Sequence, residues 1–266
     1  MGFRQSTPFK VLPGVRLTIR DPASGERRPL TIRGVTPPAP DDRTARRPGP
    51  RAHPWERRLH RSLLLGDAAE VRRVAGRRGH RVLGAALGGL TAYATGAGPA
   101  RALLDEAWRS GDAVEEHPFL SARLLHATVR IDVTDDVQAV VPVSRDAVGL
   151  ALVASLRELA ETEAATVVAE ELDPSVVAAL ALTDLYRRTG RPDDLVELTS
   201  GVSNTDDASA LLLLHRATAL RVVGLDADAD AALQEAVRWG VRGSVVRRLA
   251  LSERDRMARG VDGGVE

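Results

Sequence analysis

The chain has 266 residues, of which 44 % are hydrophobic, 27 % charged and only 3 % aromatic, and it contains no cysteine. The absence of thiols excludes disulfides, thiolate catalysis, zinc–cysteine sites and iron–sulfur clusters. The shortage of aromatics leaves Ala, Val and Leu to fill the core, which favours helix-on-helix packing over a β-sandwich. A net charge of +1 conceals two opposed parts: residues 1–81 hold 19 basic and 7 acidic side chains, a net +12, whereas the rest holds 18 basic and 29 acidic, a net −11. Such asymmetry points to attraction between the two parts, within a chain or between copies, or to an anionic partner such as nucleic acid or a membrane surface. The opening MGFRQSTPFK lacks an apolar stretch of signal-peptide length, so a cytoplasmic protein is expected.

Residues 1–35 read as a small β-rich module. FKVLPGVRLTIR alternates around Pro13-Gly14, with Val15, Leu17 and Ile19 on one face, and PLTIRGV is the expected returning strand after the turn DPASG. Residues 36–54 are rich in Pro and Arg without apolar periodicity and read as an extended linker. The 55–128 region turns helical, with Asp67 expected as an N-cap, Pro99 as a first-turn proline and Gly111 as a C-terminal cap. Within it, VLGAALGGLTAYATGAGPA (82–100) is uncharged and carries the Gly84-x-x-x-Gly88 spacing found in transmembrane helix pairs. Its side chains are small rather than strongly apolar, so a tightly packed helix and no membrane span is expected.

The period then changes. TVRIDVTDDVQAVVPVS alternates on either side of Asp135-Asp136, which predicts a β-hairpin over 129–143 pairing Val129, Ile131 and Val133 with Val137, Ala139 and Val141. Ser144 offers an N-cap for a helix starting at Arg145. Residues 144–266 read as helical hairpins. Gly190 and Gly224 stand 34 residues apart, each between an apolar first helix and a return helix opened by acidic residues, Asp193 or Asp194 serving as a cap in the first. The stretch 150–174 reads as a preceding hairpin without its glycine. SVVRRLALSERDRMARG reads as a further first helix, with Gly260 in the turn position and no partner helix after it.

LYRRTGRPDDLVEL and TALRVVGLDADADAAL, with Tyr186-x-x-x-Gly190 and Leu220-x-x-x-Gly224, resemble tetratricopeptide repeats over residues 150–264. The N-terminus, with Gly2-Phe3-Arg4 and Pro13 to Leu17, is similar to an uncharacterised bacterial N-terminal domain of unknown function. These resemblances imply a mainly α protein: a TPR-like, right-handed α-solenoid of antiparallel helical hairpins, joined to a small β-rich N-terminal module. They imply no activity.

A search for chemistry is mostly negative. Lys10 is the sole lysine, which excludes a phosphate-binding Gly-x-x-x-x-Gly-Lys loop, and no Gly-x-Ser-x-Gly elbow occurs. The six histidines are scattered without His-x-x-x-His spacing, and His215, inside LLLLHRAT, reads as buried and hydrogen-bonded. The acidic pairs Asp135-Asp136, Asp193-Asp194 and Asp206-Asp207 fall in turns or before helices, where carboxylates accept backbone N–H groups. The expectation is therefore a non-enzymatic interaction protein without cofactor or metal, binding a protein or peptide in a groove lined by the first helix of each hairpin. Val245, Val246, Leu249 and Leu251 form a candidate apolar edge for a partner or a second copy. The alternative is nucleic-acid or anionic-surface binding through Arg57, Arg58, Arg72, Arg73, Arg77 and Arg78.

Overall fold

A computed structural model of the chain describes residues 9, 14–31, 52–77, 79–96, 98–124, 127–202 and 206–262. The expected linker therefore falls almost wholly outside the described residues. In chain order the elements are β1 (Arg16–Arg20), β2 (Arg27–Leu30), α1 (Pro54–Leu64), α2 (Ala68–Gly76), α3 (Arg81–Thr95), α4 (Ala100–Ser110), a 3₁₀ turn (Val114–Glu116), α5 (Pro118–Arg123), β3 (Thr128–Asp132), β4 (Val137–Pro142), α6 (Arg145–Glu158), α7 (Thr162–Glu170), α8 (Val176–Arg188), α9 (Pro192–Leu198), α10 (Asp207–Val222), α11 (Asp226–Trp239) and α12 (Val245–Asp262). The protein is mainly helical with one small antiparallel sheet, ordered β2-β1-β4-β3.

Alternation dictates the strands. Val15, Leu17 and Ile19 are all buried, as are Val129, Ile131, Val133, Val137, Ala139 and Val141. The strand expected at PLTIRGV starts earlier than the sequence suggested. The turn after β1 closes with Asp21 N–H donating to Glu26 O (2.8 Å), and this register sets Arg27–Leu30 opposite Leu17–Arg20. Pro29 then sits in β2, an edge strand, where a missing N–H costs no ladder bond. At the corner between β3 and β4, Thr134 Oγ1 accepts from Asp136 N–H (3.2 Å) and Val137 N–H (2.9 Å).

The chain packs as two compact units, both discontinuous in sequence. One contains α1 to α7, β3 and the end of β4; the other contains β1, β2, the 133–139 segment and α8 to α12.

In the first of these units, α3 packs against both α2 and α4. A Cβ added at Gly84 would lie 3.0 Å from Ala75 Cβ, one at Gly88 3.2 Å from Ala68 O, and one at Gly89 2.9 Å from Leu104. The small-residue spacing thus lets α2 and α4 approach the α3 backbone closely, and among the described residues no helix is long and apolar enough to cross a membrane. Ser144 Oγ caps α6 by accepting from Ala147 N–H (3.2 Å), and Asp67 caps α2 by accepting from Glu70 N–H (3.0 Å). Pro99 stands at the N-cap of α4, one residue before the expected position.

In the other unit, α10 packs against α8, α9, α11 and α12. The hairpin turns share one hydrogen-bond pattern. Arg191 N–H donates to Tyr186 O (2.8 Å) around Gly190 at φ 65°, and Leu225 N–H to Leu220 O (2.8 Å) around Gly224 at φ 80°. This is the six-to-one bond of a helix closed by a left-handed residue. The same bond recurs in the helical unit at Gly66 (Asp67 N–H to Ser62 O, 3.0 Å) and at Ala160, φ 59° (Glu161 N–H to Leu156 O, 2.9 Å). An alanine thus takes the glycine place in the hairpin that lacked one. Two expectations need correction. Arg191, not Asp193 or Asp194, is the N-cap of α9; Pro192 fixes the first helical position and puts both aspartates inside the first turn. Gly260 makes no turn either: α12 continues through it to Asp262, because glycine permits a left-handed stop without compelling one.

Candidate functional site

The expected groove along the first helices is closed over most of its length. Every residue of α8 from Val177 to Tyr186 is buried, and so is every residue of α10 from Asp207 to Leu213. A cleft of about 140 Å³ opens at the C-terminal ends of the two helices, lined chiefly by Tyr186, Arg187, Leu195, His215, Thr218 and Val222.

Each lining residue is placed by a local device. Tyr186 sits three residues from the end of α8, where its carbonyl takes the turn-closing bond, and the Arg191 guanidinium lies over its ring at 4.6 Å. Arg191 is itself held by Asp194 at 2.5 Å. Arg187 projects to solvent and pairs with Asp184 (2.7 Å), whose side chain is only 1 % exposed. The same carboxylate takes Arg188 Nε (2.8 Å), and Arg188 reaches on to Asp135 (2.5 Å). Burial disfavours the Arg188 charge, but the two carboxylates outweigh it and raise the pKa above the usual arginine value. Leu195 gives the cleft a buried apolar wall, and Val222, exposed at its mouth, extends that surface outward.

His215 contributes the imidazole. Its Nδ1 lies 2.9 Å from Thr183 Oγ1. Burial pushes its pKa down to about 4; the nearby Arg187 charge adds to the depression and Asp184 partly opposes it. The ring is therefore neutral at physiological pH. It has a hydroxyl rather than a carboxylate behind it, and Asp184, whose charge acts on it, is engaged by two guanidinium groups. Among the described residues no group of three or more His, Asp or Glu is placed to hold a metal ion.

The other candidate residues are placed elsewhere. Val245 and Val246 are buried inside the chain, where α12 packs on α10 and α11, and so present nothing to a partner; Leu249 and Leu251 are half-buried. The apolar stripe that read as an unsatisfied edge is largely covered intramolecularly. Among the arginines, Arg58 and Arg73 both pair with Glu70 (2.6 and 2.5 Å) and Arg72 pairs with Glu106 (2.7 Å). Arg57 and Arg77 are exposed with no ion-pair partner among the described residues, and Arg78 lies outside them. Three of the six arginines thus have a carboxylate partner within the chain.

The cleft residues were not singled out as a site from the sequence. One signal was present: His215, Thr218 and Val222 follow i, i+3, i+7 spacing on one face of α10. Comparison of the chain with protein-family models, curated proteins and solved structures finds no match.

Proposed function

We propose that the chain is a non-enzymatic interaction protein, that α8 to α12 form a short, right-handed, TPR-like solenoid, and that it docks a partner protein or peptide at the α8–α10 cleft. The solenoid is supported by the two identical hairpin turns 34 residues apart and by the packing of α10 on the first helices before and after it. Docking rests on one observation: at their C-terminal ends α8 and α10 leave room beside them for an apolar recess of about 140 Å³, with an arginine and a neutral imidazole in its lining. Cofactor chemistry has no support from this lining. A second copy seated on the α12 edge has less to rest on, since Val245 and Val246 are already covered. Nucleic-acid binding through residues 1–81 is weakened in part by Glu70 and Glu106, which engage Arg58, Arg72 and Arg73 in ion pairs.

A peptide-display selection on the intact chain tests the docking. Enriched peptides should lose affinity by about tenfold or more for the Val222→Glu variant, which places a charge at the apolar mouth. Val222 is 72 % exposed, so this substitution leaves the fold intact. Enriched peptides indifferent to Val222→Glu, or a selection yielding none, would refute the proposal.

A further inference from the structure

The polarity of the cleft can be read from its hydrogen bonds. Thr183 is fully buried, and its Oγ1 lies 2.9 Å from both Leu180 O and His215 Nδ1. A hydroxyl carries one proton. If it donated to His215, the Leu180 contact would become an unfavourable approach of two lone-pair-bearing oxygens. If it donates to Leu180 O, both contacts are hydrogen bonds, with His215 Nδ1–H donating to the Thr183 oxygen. The second arrangement is fixed by this count. His215 is then the Nδ1–H tautomer, and the ring nitrogen left for a ligand, Nε2, bears a lone pair. Thr218 points the same way: its hydroxyl proton is engaged by Leu214 O at 3.1 Å, so its oxygen can only accept. Arg187 lines the same cleft and supplies N–H donors.

A ligand seated here must therefore be apolar in body, carry a hydrogen-bond donor at its inner end, and tolerate a guanidinium nearby. Size narrows the class, since an apolar cavity of about 150 Å³ accommodates one benzene ring and this cleft measures about 140 Å³. Resting on the docking proposed above, we infer that the partner residue held in the cleft is a tyrosine, its phenol O–H donating to His215 Nε2 while Arg187 donates to the phenol oxygen. Phenylalanine fills the same space but leaves the His215 lone pair unpaired beneath it, which a polar site penalises. Indole supplies a donor but exceeds a one-ring volume.

The test uses the full chain and four probes: a capped Ala-Ala-Tyr-Ala-Ala peptide, its Phe and Trp counterparts, and p-cresol, followed by ¹H–¹⁵N chemical shifts. The Tyr peptide should move the Thr218 and Val222 amides and the His215 ring nitrogens, and bind about fivefold or more tightly than the Phe peptide. Thr183→Val removes the group that fixes the tautomer; the Tyr-over-Phe ratio should then fall toward one while the same amides still shift. Equal affinity for Tyr and Phe peptides, tighter binding of the Trp peptide, or p-cresol binding more tightly than the Tyr peptide would each overturn the assignment, the last pointing to a free phenol. Should none of these peptides bind while display-selected ligands still require Val222, the tyrosine assignment falls and the docking cleft stands. If the selected ligands ignore Val222 while the Tyr peptide still shifts Thr218, the docking proposal fails and a bare aromatic pocket remains.

Discussion

Ala160 offers a measurement of opposite sign to its glycine counterparts. It occupies the turn between α6 and α7 at φ 59°, where Gly190 and Gly224 stand at φ 65° and 80° in equivalent turns. An L-residue in the left-handed region costs roughly 1–2 kcal/mol, and glycine removes that cost while adding about 0.4–1 kcal/mol of unfolded-state entropy. Ala160 is exposed, so removal of its Cβ forfeits little packing. Ala160→Gly should therefore stabilise its unit by about 0.5–1 kcal/mol. Gly190→Ala and Gly224→Ala should each destabilise by a similar amount. A Cβ at either glycine meets nothing within 4 Å, so the cost is backbone strain without a clash. Urea unfolding followed by circular dichroism reads these changes as shifts in midpoint at unchanged slope. If Ala160→Gly proves neutral or destabilising while Gly190→Ala destabilises, the equivalence of the turns is refuted.

Two further outcomes follow from packing and from the histidines. Gly149→Ala drives a Cβ to 2.6 Å from both Leu172 Cδ2 and Trp108 Cζ3, and should cost about 1–3 kcal/mol by thermal melting; an unchanged melting temperature would show that Trp108 yields freely. The pKa of His215 is lowered to about 4 from 6.5, and that of His117 is lowered by burial and by the adjacent His80, so the unfolded chain binds more protons than the native one below pH 6.5. Stability contributed by the neutral rings is complete above about pH 6.5 and is lost as pH falls toward 4, by up to about 3 kcal/mol for His215. Urea midpoints at pH 7.5, 5.5 and 4.5 should fall in that order, and His215→Phe should flatten the dependence; an equally steep fall in the variant would acquit His215.

Much of the architecture was legible because it is written in short periods. The alternation of Val15, Leu17 and Ile19, and that from Val129 to Val141, needs only two-residue periodicity to place one face inward. Ser144 and Asp67 announce helix starts because a short polar side chain can reach backbone N–H groups three residues on. Gly190 and Gly224 announce hairpins because a left-handed closing residue is cheapest as glycine. These devices act within a few residues of chain, so the sequence alone determined most helices and strands and the turns that glycine marks at Gly190 and Gly224.

What joins distant residues was decided only by tertiary structure. Ala160 accepts a glycine's conformation, which composition argues against, because the surrounding hairpin imposes it. Arg72 finds Glu106, on α4, and Arg58 finds Glu70, on α2, pairings that the basic run does not announce. Val245 and Val246, apolar either way, are inside because α10 and α11 supply a surface for them. The cleft has the same origin. Tyr186, Leu195 and His215 lie on three helices, and the proton count that makes His215 Nε2 an acceptor runs through Thr183 on α8. Hydrophobic pattern specifies which face of a helix is buried; which neighbour buries it, and what gap is left at the end, depends on how helices of unequal length pack.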